Sequence, residues 1–455
     1  MTERLDALID SARQPVDGRS LAFFRIVFGA ILTIAMARYI ANGWVDIHYV
    51  EPSFFFKYTG LEWVAVPGRT TLYAMAYGLC VCALLITVGL FTRPALVVFT
   101  LGFGYWEAMD VTNYLNHYIL VLLLCVELLL TPCHRVWSLD NLLLNVDNRP
   151  FRRPQTPTIP AWCLWMLRIQ IAVVYFSAAI AKVGSDWLID GQPMGIWLAS
   201  RGHLPVIGWL QGFAATPLVF SWAGFLYDLT IPFLLLWRPT RQLAFCAVVV
   251  FHGMTHVLFD IGIFPFIMTA ASTLFFAPNW LSRGRSQVVQ TVARGDRKYW
   301  MRPVMVAALT LVLLQLVWPQ RHLIYGGNVL WHEQGMRFSW RVMVREKHGS
   351  ITYRVVDRAS GREWQVPPSR YLNMRQEAEF SGQPDLIRQL ARHIHSDFKV
   401  RGFDVAVRVD APVSLNGRAP SLLIDDQIDL AQPVDDKWIL PAPNSRARSS
   451  RTGRL

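Results

Sequence analysis

Five polar side chains stand in or beside apolar runs where side chains of their kind are costly. Lys182 closes VVYFSAAIAK, His252 and His256 lie in FHGMTH, and Asn116 and His117 open NHYILVLLL. An ionisable group inside a membrane span costs about 3 kcal/mol unless it is paired or hydrated, so each is a candidate for function. A lysine among Tyr175, Phe176 and Trp187 loses solvation, which disfavours the ammonium and suits the neutral amine to take a proton. Asn116 and His117 can hydrogen-bond to an oxyanion that develops during reaction. His252 and His256 have the i,i+4 spacing of two metal ligands on one helix. No glutamate follows His252 and no third ligand is evident, so hydrogen-bonded core histidines are expected and no metal is predicted. Each candidate also has a structural explanation. Lys182 can snorkel to the interface, Asn116 and Asp110 can cap helices, and Glu127 and Arg168 can pair mid-span for stability. Asp228, also mid-span, has no evident partner.

The elements that position these residues are membrane spans. Of 455 residues, 53% are hydrophobic and 17% charged, with 18 Trp and 26 Phe; a soluble protein carries roughly a quarter charged residues. That excludes a disordered chain and points to a polytopic protein in a lipid bilayer. Apolar windows long enough for a span fall near 20–41, 70–92, 95–111, 117–131, 162–182, 214–237, 241–259, 261–277 and 302–318. The third, fourth and eighth are short, as tilted, broken or re-entrant segments are. No internal repeat is evident, which weighs against an inverted-repeat transporter.

Lys and Arg between the windows number sixteen on the N-terminal side and four on the other, which places the N-terminus in the cytoplasm. The net charge of +12 then reflects basic loops; no basic run is interleaved with aromatics as a nucleic-acid groove needs. With nine spans the chain from Pro319 onward faces outside. The fifth and seventh windows run outward and the fourth inward, so the five side chains share one depth near the outer membrane boundary.

Beyond the last window the pattern changes to period two, with Ile351, Tyr353 and Val355, then Val405, Val407 and Val409. Leu386, Leu390, Ile394 and Phe398 mark an amphipathic helix between them, and Asn416-Gly417 signals a tight turn. The expected architecture is mainly α: a polytopic membrane helix bundle of about nine spans with a small extracytoplasmic α+β C-terminal domain. Its parts are a cytoplasmic segment 1–19, a transmembrane domain 20–318, the α+β domain 319–442, and a basic tail 443–455 expected to be disordered. Met1–Ser20 is polar and the first apolar run exceeds an h-region, so no cleavable signal peptide is expected. The six cysteines, none in a CxxC pair, read as small buried hydrophobes.

At its polar residues the sequence resembles the vitamin K-dependent gamma-glutamyl carboxylases, within the wider group that carries a horizontally transferred transmembrane domain. The resemblance rests on TNYLNHYILVLLL (112–124) with HRVWSLD (134–140), VVYFSAAIAKVGSDW (173–187), and FHGMTHVLFDIGIFPFIM (251–268) with FAPNW (276–280). It continues through FSWRVMV (338–344), ITYR (351–354) and QIDLAQP (427–433). By position, Lys182 matches the family's lysine base, Asn116-His117 its Asn-His pair at the quinone pocket, and His252 the histidine of its Phe-His block. His256, Tyr175 and Phe251 are counted with His252 as candidate quinone contacts.

The resemblance implies a bilayer-embedded enzyme, multi-pass as in a bacterial inner membrane, using a reduced vitamin K or menaquinone-type naphthoquinone with O2 and CO2. The lysine deprotonates the hydroquinone, oxygen converts it to a strong base, and that base removes a γ-proton from a glutamate of a peptide or protein. CO2 adds to the carbanion and the quinone leaves as its epoxide. The chain departs from the animal enzymes in three ways. It has Ala181-Lys182 where they have two lysines, it lacks most of their longer C-terminal part, and Met336 and Phe338 stand in GMRFSW where phenols would be. These bear on peptide recognition more than on quinone chemistry. The alternatives are a quinone epoxidase without glutamate carboxylation and a non-catalytic scaffold that keeps the fold.

Overall fold

The computed structural model describes residues 10–144, 158–282, 298–434 and 438–443. The tail from residue 444 on, and several of the arginines that set the expected orientation, lie outside them.

Nine helices occupy the nine apolar windows: α1 (Arg19–Ala41), α2 (Arg69–Val88), α3 (Thr92–Ala108), α4 (Asn116–Leu130), α5 (Ala161–Ala181), α6 (Thr216–Leu236), α7 (Arg241–Leu258), α8 (Phe264–Ser272) and α9 (Lys298–Val317). Among the described residues six helical stretches are long and apolar enough to cross a membrane; the last of these is Pro303–Ile324, which runs past α9 through a 3-10 turn. The helices α3, α4 and α8 are shorter, as the sequence suggests. Most of these helices are apolar all round, because one face meets protein and the other lipid. Packing is tight where small residues allow it. A Cβ on Gly29 would stand 2.7 Å from the backbone nitrogen of Thr87, so α1 and α2 approach at a distance only glycine permits.

Between α5 and α6 the chain does not simply loop. Three short helices, Ser185–Leu188, Met194–Ser200 and Pro205–Leu210, fold over the ends of both, burying Trp187, Met194, Leu198 and Ile207 against Leu258.

The C-terminal region has the expected α+β form. Strands β1 (Pro15–Asp17) and β2 (Thr158–Pro160) pair near the N-terminus. The C-terminal region then builds two antiparallel sheets, β3 (Lys347–Gly349), β7 (Pro412–Leu415) and β8 (Ser421–Leu422) in order β3-β7-β8, and β4 (Thr352–Asp357), β5 (Glu363–Val366) and β6 (Val405–Asp410) in order β5-β4-β6. Register sets Tyr353 opposite Val409 and Val355 opposite Val407, so one face is continuously apolar. A capped helix α10 (Met374–Phe380) leads to α11 (Pro384–Val400), which buries Leu386, Leu390, Ile394 and Phe398. Asn416 and Gly417 both take positive φ, 49° and 77°, the conformation a type I′ turn requires. This core includes Phe56 and Val111, so the C-terminal domain is packed onto the α1–α2 loop and the start of the α4 segment.

Candidate active site

The site grows from the end of α5. Lys182 occupies the C-cap of that helix, and its Nζ donates to Asp228 Oδ2 at 2.7 Å and to the Ala178 carbonyl at 3.3 Å. Trp187 lies against the ammonium, its ring centroid 5.3 Å from Nζ. Both members of the pair are buried, Lys182 at 7% and Asp228 at 6% exposure. Asp228 is twelve positions beyond the first residue of α6, about 18 Å along the helix at 1.5 Å per residue. Lys182 meets the middle of α6, beneath the three short helices.

Lys182 and Asp228 line a cavity of ≈ 260 Å³. Its remaining wall is almost wholly apolar and rich in flat rings: Trp187, Trp197, Phe251, Phe259 and Phe264. Tyr175 and His252 join it from α5 and α7, the tyrosine hydroxyl 2.9 Å from His252 Nε2. His252 Nδ1 is buried without a hydrogen-bond partner among the described residues. Tyr227 stacks on Phe251 with centroids 3.8 Å apart.

The C-terminal domain closes the cavity with a strap, residues 333–343, that contributes Val342 and Met343 to the wall. Glu333, Phe338, Trp340 and Met343 all have positive φ, conformations that cost non-glycine residues of order 1 kcal/mol or more each. Anchors hold the strap in place. The Phe338 N–H donates to Tyr114 Oη at 2.6 Å, Arg337 pairs with Asp385 at 2.7 Å, and Arg321 donates to the Arg337 carbonyl. A second clamp joins the domain to the short helices. Arg418 reaches Asp186 at 2.5 Å, Asn416 donates to Asp186 at 2.9 Å, and the Trp197 indole donates to Glu346 at 2.5 Å.

The candidates from sequence divide accordingly. Lys182, Tyr175, Phe251 and His252 share the cavity. His117 lies one layer behind it. Its Nε2 has no partner among the described residues and stands 3.4 Å from where a Cβ of Gly262 would be, between the wall residues Ile261 and Phe264. Gly262 has φ 58°, so the turn into α8 favours a glycine for its conformation. Asn116 turns elsewhere: its Oδ1 accepts from the Tyr114 hydroxyl at 2.9 Å, which links it to the strap. His256 leaves the group. It is exposed, does not line the cavity and packs edge-on against Phe266 at 4.9 Å, because the 3.6-residue turn that brings His252 inward carries the fourth residue on past the cavity edge. The five side chains therefore do not share one cavity.

Two other expectations are corrected. Glu127 and Arg168 do not pair. Arg168 donates to the carbonyls of Leu274 and Phe276 at 2.8 and 3.2 Å, while both Glu127 carboxyl oxygens are buried without a partner among the described residues. Asp110 does cap, accepting from the Thr112 N–H at 3.0 Å, but Asn116 is the first residue of α4 rather than its cap. The partner that sequence reading missed is Asp228. The available signal was that a mid-span carboxylate requires a cation, and Lys182 was the unpaired one.

Two family models match the chain, the HTTM domain over residues 13–280 and the lumenal domain of vitamin K-dependent gamma-carboxylase over residues 300–445. No solved structure matches it. The first match spans the helices that build the cavity and the second the domain that straps it shut, which puts the C-terminal domain on the extracytoplasmic side. The chain belongs to the vitamin K-dependent gamma-glutamyl carboxylase family.

Proposed function

We propose that this chain is an integral-membrane, vitamin K-dependent carboxylase-like enzyme, with its N-terminus in the cytoplasm, in which Lys182 takes a proton from a reduced naphthoquinone held in the cavity. One observation carries the reading: an amine and a carboxylate in hydrogen-bond contact in a cavity otherwise built of apolar and aromatic side chains. The residues fit such a group. Flat rings suit a bicyclic aromatic head, and the orphaned His252 Nδ1 is a buried polar atom that a ring oxygen would satisfy.

When bound, a reduced naphthoquinone supplies, with O2, the strong base that removes a glutamate γ-proton before CO2 adds, and it ends as the epoxide. The protein's own part is proton handling and exclusion of water. A proton shifted from Lys182 Nζ to Asp228 along their hydrogen bond leaves a neutral amine, the form able to act as a general base. Tyr175 fixes the ring of His252 in one orientation through its contact with Nε2. His117, behind Gly262, is the second buried donor able to stabilise negative charge at the Phe264 wall. Val342 and Met343 keep bulk water from the amine, which strengthens each of these electrostatic contacts. The lumenal domain is the part suited to present a protein glutamate.

The test is epoxide formation by purified protein with reduced menaquinone or vitamin K, O2 and bicarbonate, beside Lys182→Ala. Epoxide from the wild type alone supports the lysine-base reading. None from well-folded wild type, with either quinone, favours a scaffold that keeps the fold.

A further inference from the structure

We propose that a recess on another face of α5 from the Lys182 cavity seats the phosphate of an anionic phospholipid of the extracytoplasmic leaflet, with Arg341 as its counter-charge. The inference does not depend on what the cavity binds.

Tyr175, Ala178 and Lys182 turn one face of α5 to the cavity. Ser177, Ile180 and Ala181 turn another to the recess, as a helix of 3.6 residues per turn requires. Gln320 and His322, from the 3-10 turn that ends the last span, and Ser339 and Arg341, from the strap, complete the wall. Arg341 is half-buried, and no carboxylate pairs with it among the described residues. Its Nη2 donates to His322 Nε2 at 2.6 Å, and its Nε is buried without a partner among the described residues. His322 brings no negative charge in return: its Nδ1 lies 2.9 Å from the Pro319 carbonyl and so carries the proton, which leaves Nε2 to accept from Arg341. Arg321, beside His322, spends its donors on the carbonyls of Trp318, Arg337 and Phe338. Two guanidinium groups thus stand at the end of a span with no acid to meet them among the described residues, and a cation so placed calls for an anion.

The surroundings choose the occupant. The recess has a volume of ≈ 10 Å³, about the room of one water-sized atom, so it takes one oxygen of an oxyanion and leaves the rest outside. Outside is lipid. Ile180 is 56% exposed on a membrane span, and Val317, Leu323 and Ile324 are exposed around the end of another. Trp318, 5.1 Å from the Arg321 guanidinium, and Tyr325 are exposed beside them, aromatic side chains of the kind that sit at head-group level. Arg341, the Ser177 hydroxyl and the Gln320 amide can donate to a phosphodiester oxygen lodged there, while the acyl chains follow the apolar helices. Basic pockets between spans hold lipid head groups in this way. No Asp or Glu lines the recess among the described residues, so the ammonium of a zwitterionic lipid finds no partner and an anionic head group is preferred. Ser339 and Arg341 directly precede Val342 and Met343 of the cavity wall, so a lipid held by the strap also steadies that wall.

The experiment uses the full chain in detergent. Native mass spectrometry counts the lipids retained as phosphatidylglycerol or, separately, phosphatidylcholine with the same acyl chains is added. Thermal melts follow the lipid-free protein with inorganic phosphate and with bicarbonate. One phosphatidylglycerol per chain is expected to be held roughly tenfold more tightly than phosphatidylcholine, a factor of ten being 1.4 kcal/mol. Arg341→Leu should abolish that preference. Gln320→Glu, which sets a carboxylate against Arg341 at a half-buried position, should abolish it too, and it decides the matter if the first variant does not fold. Equal retention of the two lipids, or a preference that survives both substitutions, overturns the site. A melting temperature raised by phosphate or bicarbonate and lost in Arg341→Leu, with no preference between the lipids, assigns the recess to a free anion and overturns the phospholipid.

Discussion

Lys182 Nζ and Asp228 Oδ2 are 2.7 Å apart, and the pair ties the end of α5 to the middle of α6. In an apolar surround such a pair has two jobs that a lone lysine cannot combine. It satisfies the charge of the resting amine, and it provides the acceptor that frees the amine of its proton. A positioned proton-transfer group contributes about 10²–10⁴ in rate. Lys182→Ala should therefore abolish epoxide formation. Asp228→Asn, which keeps a hydrogen bond but accepts no proton, should lower the rate by about 10². Asp228→Ala leaves a buried cation alone and should also destabilise the protein by about 3–5 kcal/mol. Initial rates and thermal melts on the three variants separate these effects; an Asp228→Asn enzyme with wild-type turnover would remove the carboxylate from the mechanism.

The tyrosine behind His252 is a positioning residue. Its hydroxyl, 2.9 Å from His252 Nε2, holds the imidazole in one orientation and leaves Nδ1 as the nitrogen without a partner among the described residues. Tyr175→Phe is expected to lower kcat by about fivefold through loss of one buried hydrogen bond of about 1 kcal/mol, with KM for the quinone little changed. His252→Ala should impair both. If Tyr175→Phe and His252→Ala raise KM to the same degree with kcat intact, the pair serves only to shape the pocket.

Much of this was legible in the sequence, for reasons that can be named. Span positions follow from hydropathy, because lipid imposes length and composition at once, and the period-two runs at Tyr353–Val355 and Val405–Val409 fold as strands. Lys182 and His252 were legible as costly residues. The pairing of Lys182 with Asp228 was not, because spacing along α5 does not say which residue of α6 lies opposite its end. His256 shows the same limit of linear spacing: i,i+4 brings two side chains near one another, yet only one faces the cavity. His256→Ala is accordingly expected to leave epoxide formation within about twofold of wild type, a surface substitution being usually within about 0.5 kcal/mol. A loss comparable to that of His252→Ala would return His256 to the site.

The clamp between the lumenal domain and the short helices is set by Asp186, which takes hydrogen bonds from Arg418 and Asn416 at 2.5 and 2.9 Å. Asn416 in turn accepts from the Glu346 N–H at 2.8 Å, and Glu346 accepts from Trp197 of the cavity wall. A hydrogen bond to a charged group contributes about 1.5–3 kcal/mol. Arg418→Leu should thus let the 194–200 helix and the β7–β8 turn open more often, seen as faster amide exchange in both segments together with a faster quinone off-rate. Unchanged exchange in 194–200 would mean that the clamp holds the domain without governing the cavity.

Lys347 supplies a pH signature confined to the lumenal domain. Its side chain is fully buried beneath Trp331, donating to the Trp331 carbonyl at 2.5 Å and to Glu333 Oε1 at 3.2 Å. Burial pulls its ammonium down from 10.5 to about 8, against the opposing pull of the Glu333 carboxylate. The folded form therefore gives up this proton at about pH 8, while the unfolded chain holds it to about 10.5. Between those values the unfolded state binds more protons, so the contribution of Lys347 to stability rises with pH and levels off above the upper one. In thermal melts of the full chain, the wild type should gain on Lys347→Met as pH goes from about 8 to about 10, and the difference should be flat below about pH 7. A gap that narrows over the upper range would show that the buried lysine stays charged in the fold and that Glu333, with Arg345 beside it at 3.1 Å, sets its state.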